Sequence, residues 1–155
     1  MEKDYYLPFI IACKNVCENF LMLNAEYENP SFVEREKMPP NDISGIITLG
    51  GDVTGLVMVS FKKEVISKIV SKMINKEITE IDENVMDIVG ETANIIAGNA
   101  KEKLEKYKII ISLPIVVTGK NHFVKQFNEA TEKILEIPFK TSEGNFSLYL
   151  DFKTN

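Results

Sequence analysis

Between positions 9 and 23 apolar residues recur every three or four places: Phe9, Ile10, Cys13, Val16, Cys17, Phe20 and Leu21. That spacing predicts an amphipathic helix, with Pro8 tolerable near its first turn. The pattern then alternates over 31–37, predicting a short strand or edge piece that Pro39 and Pro40 stop, because proline cannot donate to a ladder. Stretches 43–49 and 55–61 are rich in β-branched and apolar residues with turn-prone GGDVTG between them, so they predict a β-hairpin. A helix is expected over 63–74, where Val65, Ile66, Ile69, Val70, Met73 and Ile74 form one stripe. Asp82 is a good N-cap and Glu83 suits the first turn, so a longer helix should run from there to about 106. IIISLPIVVTG reads as a strand interrupted or offset at Pro114, and two further strands, 133–140 and 146–152, flank the turn SEGN.

Helix, strands, two helices, then strands joined as hairpins favour antiparallel pairing over repeated βαβ crossovers. The expected class is α+β, a two-layer arrangement of a mainly antiparallel sheet with helices packed on one face, and 1–155 forms a single domain. The hairpin strings GIITLGGDVTGLVMVSF and ILEIPFKTSEGNFSLYLDF share a pattern compatible with a duplicated half.

Composition narrows the function classes. A hydrophobic fraction of 45% with 26% charged residues suits a globular chain that buries a core without staples. A net charge of −5, with Lys and Arg interspersed among Glu, lacks the electrostatic footprint of nucleic-acid binding. MEKDYYLPFI is neither an export signal nor a membrane span, which predicts a cytoplasmic protein with no membrane partner. Cys13 and Cys17 with the sole histidine, His122, cannot make a four-ligand zinc site, so the cysteines are expected as buried thiols and His122 as a loop residue.

Stepping about 100° per residue along the long helix centres Val85, Val89, Ala93, Ile96 and Ala100 on an apolar face that must pack on the sheet. The opposite side carries Asp87, Glu91, Asn94, Gly98 and Lys101 in nearly one row, with Gly98 leaving room for a partner beside Asn94. A polar helix face is ordinarily only solvated, so the stripe by itself leaves solvation and docking both open. The ExxN spacing of Glu91 and Asn94 also occurs at Glu26 and Asn29, but Pro30 follows that copy and disfavours helix there.

The surrounding string DENVMDIVGETANIIAGNAKEKL resembles the signature helix of the CheC, CheX and FliY phosphatases, in which Asp or Ser precedes ExxN by four residues; Asp87, Glu91 and Asn94 match it. The similarity continues in family order through GGDVTGLVMVSF, SLPIVVTG and PFKTSEGNFSLYLDF, so it spans most of the chain. A single signature resembles the CheX type, since CheC-type members usually carry a second ExxN helix and FIIACKNVCENFLML has none. One domain filling 155 residues also leaves no space for the switch domain of FliY-type members.

The resemblance implies a CheC/CheX-like fold and hydrolysis of the aspartyl phosphate of a CheY-like response regulator in chemotaxis signalling. By that resemblance Asn94 would position the attacking water and Glu91 would dock on the receiver's active-site lysine. Asp87, Gly98 and Lys101 would be partner-binding positions at the rim. No cofactor of its own is implied, the Mg2+ being expected on the phosphorylated receiver, and a homodimer through sheet edges is expected, with the C-terminal hairpin as the candidate edge. Two readings from other classes are a non-catalytic receiver-binding or scaffolding module of the same fold and a structural piece of a flagellar switch.

Overall fold

Two back-to-back hairpins make the centre of the sheet in the computed structural model, which describes residues 2–38, 41–122 and 133–155. The first joins β3 (Asn41–Gly51) to β4 (Val53–Phe61), and the second joins β7 (Lys133–Thr141) to β8 (Gly144–Thr154). β4 and β8 pair across the middle, from Val53 opposite Thr154 to Ser60 opposite Ser147. With β1 (Ala25–Tyr27), β2 (Ser31–Glu34), β5 (Ile109–Ile111) and β6 (Ile115–His122) the order is β1-β7-β8-β4-β3-β5, while β2 also pairs with β7 and β6 with β3. Every pairing among the described residues is antiparallel.

Alternation decides which residues face the helices. Ile43, Ile47 and Leu49 of β3, Val57, Val59 and Phe61 of β4, and Phe146, Leu148 and Leu150 of β8 join the main core beneath α1 (Lys3–Asn19), α2 (Lys63–Ile74) and α3 (Glu83–Lys103). The other face carries a smaller cluster of Ile46, Leu56, Met58, Ile134 and Tyr149, with Val33 and Met38 against it. There the Tyr149 hydroxyl donates to Glu136 Oε2 at 2.7 Å, and burial together with that carboxylate raises Tyr149 above the usual phenol range. All helices of the described residues lie on one face, as the two-layer expectation requires.

α3 sits close to the sheet because β3 offers no side chain at Gly45. A Cβ there would lie 2.7 Å from the Val89 carbonyl oxygen, 3.1 Å from Val89 Cγ1 and 3.2 Å from Ala93 Cβ. Glycine on β3 and alanine on α3 together set the separation of the two layers.

Several expected boundaries need correction. The first helix begins at Lys3 and ends at Asn19, so Pro8 lies inside it and not near its first turn. The bond that Pro8 cannot make would go to Asp4, which is exposed and can use water instead. Stacking of Tyr5 on Phe152, 5.3 Å between ring centres, holds this early part of the helix. At the other end Met22 takes a left-handed conformation (φ 59°) and turns the chain away, while Leu21 still reaches the core. That preserved apolar spacing is why periodicity extends the helix to 23.

The strand expected over 31–37 is β2 followed by a 3-10 turn, Arg35–Lys37; the expected stop at Pro39 and Pro40 lies outside the described residues. The three-residue β1 escapes periodicity because it is too short to show one. α3 stops at Lys103, and Leu104 closes it with a turn to Tyr107, short of the expected 106. The backbone of His122 is the last residue of β6, opposite Asn41, where a loop was expected.

The C-terminal hairpin is not a free edge. β8 lies between β7 and β4, and the outer side of β7 is taken by β1 and β2. Pro138 is accommodated within β7 because it faces the break between β1 and β2; its carbonyl accepts from Glu28 N at 2.9 Å, so this backbone edge points where no further donor is needed.

Cys13 and Cys17 are buried one helical turn apart in α1, and burial pushes the Cys13 thiol up, with Cys17 beside it adding to the effect. Both should resist a water-soluble disulfide reagent in the native protein and react only after denaturation, which a colorimetric thiol assay with and without urea will show. Gly45→Ala should cost about 1–3 kcal/mol through overpacking against Val89, read as a lower urea midpoint with helical content retained.

Candidate functional site

The N-terminus of α3 is fixed by Asp82, whose side chain accepts from Val85 N at 3.0 Å. Val85, Val89, Ala93, Ile96 and Ala100 are all buried, as the helical projection requires. Thr92, buried between Glu91 and Ala93, satisfies its hydroxyl by donating to the Ile88 carbonyl at 2.6 Å, so a polar residue sits on the packed side without an orphan group. α3 touches both α1 and α2 within its own layer and β3, β4, β5 and β6 beneath it. Its outward side chains are therefore held by a rigid support.

That outward side brings the expected residues together. Asp87, Glu91 and Lys101 are exposed, Asn94 and Gly98 are half-buried, and a Cβ at Gly98 would meet nothing within 4 Å. Glu91 and Asn94 are three residues apart on the helix, which places their Cβ atoms about 5–6 Å from each other. Among the described residues neither side chain is tied up by a hydrogen bond or an ion pair. A carboxamide in this position can accept from a water and donate to an anionic oxygen at the same time, and the adjacent carboxylate can pair with a cation on a partner. No three His, Cys, Asp or Glu side chains among the described residues come together as a metal cluster.

The stripe is bordered by a feature that sequence reading placed on a strand without linking it to the helix. Between the pairs Leu49–Ile111 and Ile46–Ile115, three steps along β3 face four steps along the neighbouring edge, a one-residue bulge at 112–114. Ser112 spans it: its hydroxyl oxygen accepts from Thr48 N at 2.9 Å, and its own N–H donates to the Thr48 carbonyl at 3.1 Å. Pro114 and Val116 then lie against α3 at Gly90, where a Cβ would stand 3.2 Å from Val116 Cγ2 and 3.8 Å from Pro114 Cβ. Gly90 immediately precedes Glu91, and the two glycines Gly90 and Gly45 were the available but unread signals of close approach. Beyond the N-terminal end of the stripe, a cleft of about 480 Å3 is lined by Asp42, Lys63, Glu64, Ile81, Met86, Thr118 and Gly119. Asp42 Oδ2 accepts from Lys63 N at 2.7 Å in this cleft and so caps α2 from a neighbouring strand.

Both the sequence and the fold are similar to those of known proteins. Residues 43–140 match the family model described as chemotaxis phosphatase CheX. A CheY-P phosphatase CheX from Thermotoga maritima is 32% identical over 129 residues, covering 81% of this chain and 80% of the relative. A CheC-like superfamily protein from Shewanella sp. PV-4 superposes with a TM-score of 0.87 at 28% identity, covering 99% of both chains. CheX in the CheX–CheY–BeF3–Mg2+ complex from Borrelia burgdorferi superposes with a TM-score of 0.77 at 26% identity, covering 98% of this chain and 99% of that one. From a family model that runs from the first hairpin through α2 and α3 into β7, and a relative alike over four-fifths of its length, the chain belongs to the CheX family of chemotaxis phosphatases.

Proposed function

We propose that this protein hydrolyses the aspartyl phosphate of a CheY-like response regulator in chemotaxis signalling, with Asn94 orienting the attacking water. The observation that carries this reading is the Asn94 carboxamide, uncommitted and facing outward beside Glu91 on a helix held close to the sheet at Gly45. The Thermotoga relative is a CheY-P phosphatase, and the Borrelia CheX is known in complex with CheY, BeF3 and Mg2+.

An aspartyl phosphate is a reactive acyl phosphate, so its hydrolysis gains most from alignment. Water adds to phosphorus, the bond from phosphorus to the aspartate oxygen breaks, the aspartate leaves as a carboxylate, and the water's protons stay with inorganic phosphate or solvent. The Asn94 side-chain oxygen accepts from that water while its NH2 donates to a phosphoryl oxygen; a carboxylate there would repel the anion. Glu91 pairs with the lysine of the receiver's active site and anchors the two proteins in register. Asp87, Gly98 and Lys101 border the contact, where exposed charges add no more than about 1 kcal/mol each.

The receiver supplies the phosphorylated residue and its Mg2+ in this scheme, and the reaction belongs in the cytoplasm, where receivers are phosphorylated. The proposed homodimer through sheet edges would use the outer sides of β1 and β2 or of β5 and β6, which end the sheet among the described residues.

The test is the lifetime of a phosphorylated CheY-type receiver of the same organism. The wild-type protein should shorten it, and Asn94→Ala should lose about a hundredfold or more of the acceleration while still binding the receiver loaded with BeF3 and Mg2+. Glu91→Ala should raise KM about tenfold or more, with a smaller effect on kcat. Tight binding by the wild-type protein with an unchanged receiver lifetime would make it a binding module instead, and full activity in Asn94→Ala would remove the water-positioning role.

A further inference from the structure

The bulge between β5 and β6 pushes three consecutive apolar residues to the surface. Leu113 is 85% exposed and Ile115 47% exposed, with Pro114 exposed between them. This spur is held in shape: Ser112 makes two hydrogen bonds to the Thr48 backbone, and its hydroxyl also donates to the Leu113 carbonyl at 2.9 Å. Its base rests on α3 at Gly90, immediately before Glu91 and one turn before Asn94. An apolar tip on an ordered support, beside a row of polar groups, is the layout of a contact surface with an apolar anchor.

Exposed charges add little affinity of their own. The stripe sets Asp87 and Glu91 against Lys101, and each exposed charge contributes no more than about 1 kcal/mol. The pairing of Glu91 with one lysine fixes register more than it holds the two proteins together. Area points the same way. A single row of side chains from Asp87 to Lys101 runs about 21 Å along the helix and is one helix wide. Even a small interface covers roughly 600 Å2 on each partner, so surface next to the stripe has to take part. On the Gly90 side, that surface is the spur.

We propose that Leu113, Pro114 and Ile115 form the apolar half of the receiver-docking surface. They take apolar side chains at the rim of the receiver's phosphoaspartate pocket while Glu91 and Asn94 enter the pocket itself. The inference rests on the phosphatase reading and deepens it: the stripe does the chemistry, which any phosphorylated receiver offers, and the spur selects the receiver by the apolar surface beside its pocket.

The experiment measures the dissociation constant of a CheY-type receiver loaded with BeF3 and Mg2+, together with kcat and KM on the phosphorylated receiver. Leu113→Ser and Ile115→Thr change exposed side chains, and circular dichroism confirms that each variant is folded. Each should weaken binding and raise KM, about tenfold for Leu113→Ser, with kcat unchanged. Met22→Ser, at a residue 73% exposed on the connection from α1 to β1, should change neither. An active wild type with the same dissociation constant and KM in Leu113→Ser overturns the inference and leaves the phosphatase reading standing. A wild type that neither binds nor dephosphorylates the receiver sinks that reading, and the inference with it. Light scattering covers the remaining occupant: a change in the chain's own oligomeric state in Leu113→Ser, with receiver binding intact, would assign the spur to a second copy of the chain.

Discussion

The contact of α3 with β3 at Gly45 is the constraint from which the rest of the molecule can be built. A helix crossing a sheet is normally held off it by side chains from both layers. Here the strand withdraws its side chain entirely, and the helix answers with Val89 and the small Ala93. Because Glu91 and Asn94 lie on the turns around this contact, their height and direction above the sheet are set by backbone packing and not by flexible side chains. The Asp82 cap and the Pro114 contact at Gly90 fix the helix along its length and about its axis. Three separate restraints thus act on one element, and each is short-range and steep.

A stiff support matters in proportion to how little the protein does chemically. If the reaction needs no nucleophile from the protein and no metal bound to it, placing one water well is nearly all it can contribute, and misplacement by an ångström would cost much of the benefit. The molecule reflects that division. The buried Cys13 thiol and Tyr149 phenol, both raised by burial, lie in the main core and on the far face of the sheet, away from the stripe.

Much of this is legible in the amino-acid sequence, for reasons that differ by element. The hairpins, α2 and α3 announced themselves because each repeats its apolar period several times over, and the polar stripe followed because α3 is long enough for its projection to be unambiguous. Short pieces were not legible: β1 has three residues, fewer than any period needs. α1 was shifted because Pro8 argues against helix locally, while stacking of Tyr5 on Phe152, a contact 147 positions away in the chain, overrides it. The C-terminal hairpin looked like an edge because order along a sheet is a long-range property, invisible to local pattern. Gly45 and Gly90 stood in plain view, yet a glycine in a strand or helix reads as a weakness until the neighbour that needs the space is known. The same holds for Leu113, which sits in a stretch read as a strand broken near Pro114 and which the bulge turns outward.

Pro138 carries a consequence for how the chain finds its fold. Its backbone edge faces the 28–30 break between β1 and β2, the one place along β7 where a missing N–H is harmless. If β7 slid by one residue along β8 it would have to roll over to keep its ladder, sending Ile137 and Phe139 to the opposite face and turning the proline's bare nitrogen toward β8. A single imino acid therefore counts against the misaligned hairpin twice, once through the displaced apolar faces and once through the ladder bond it cannot donate to β8.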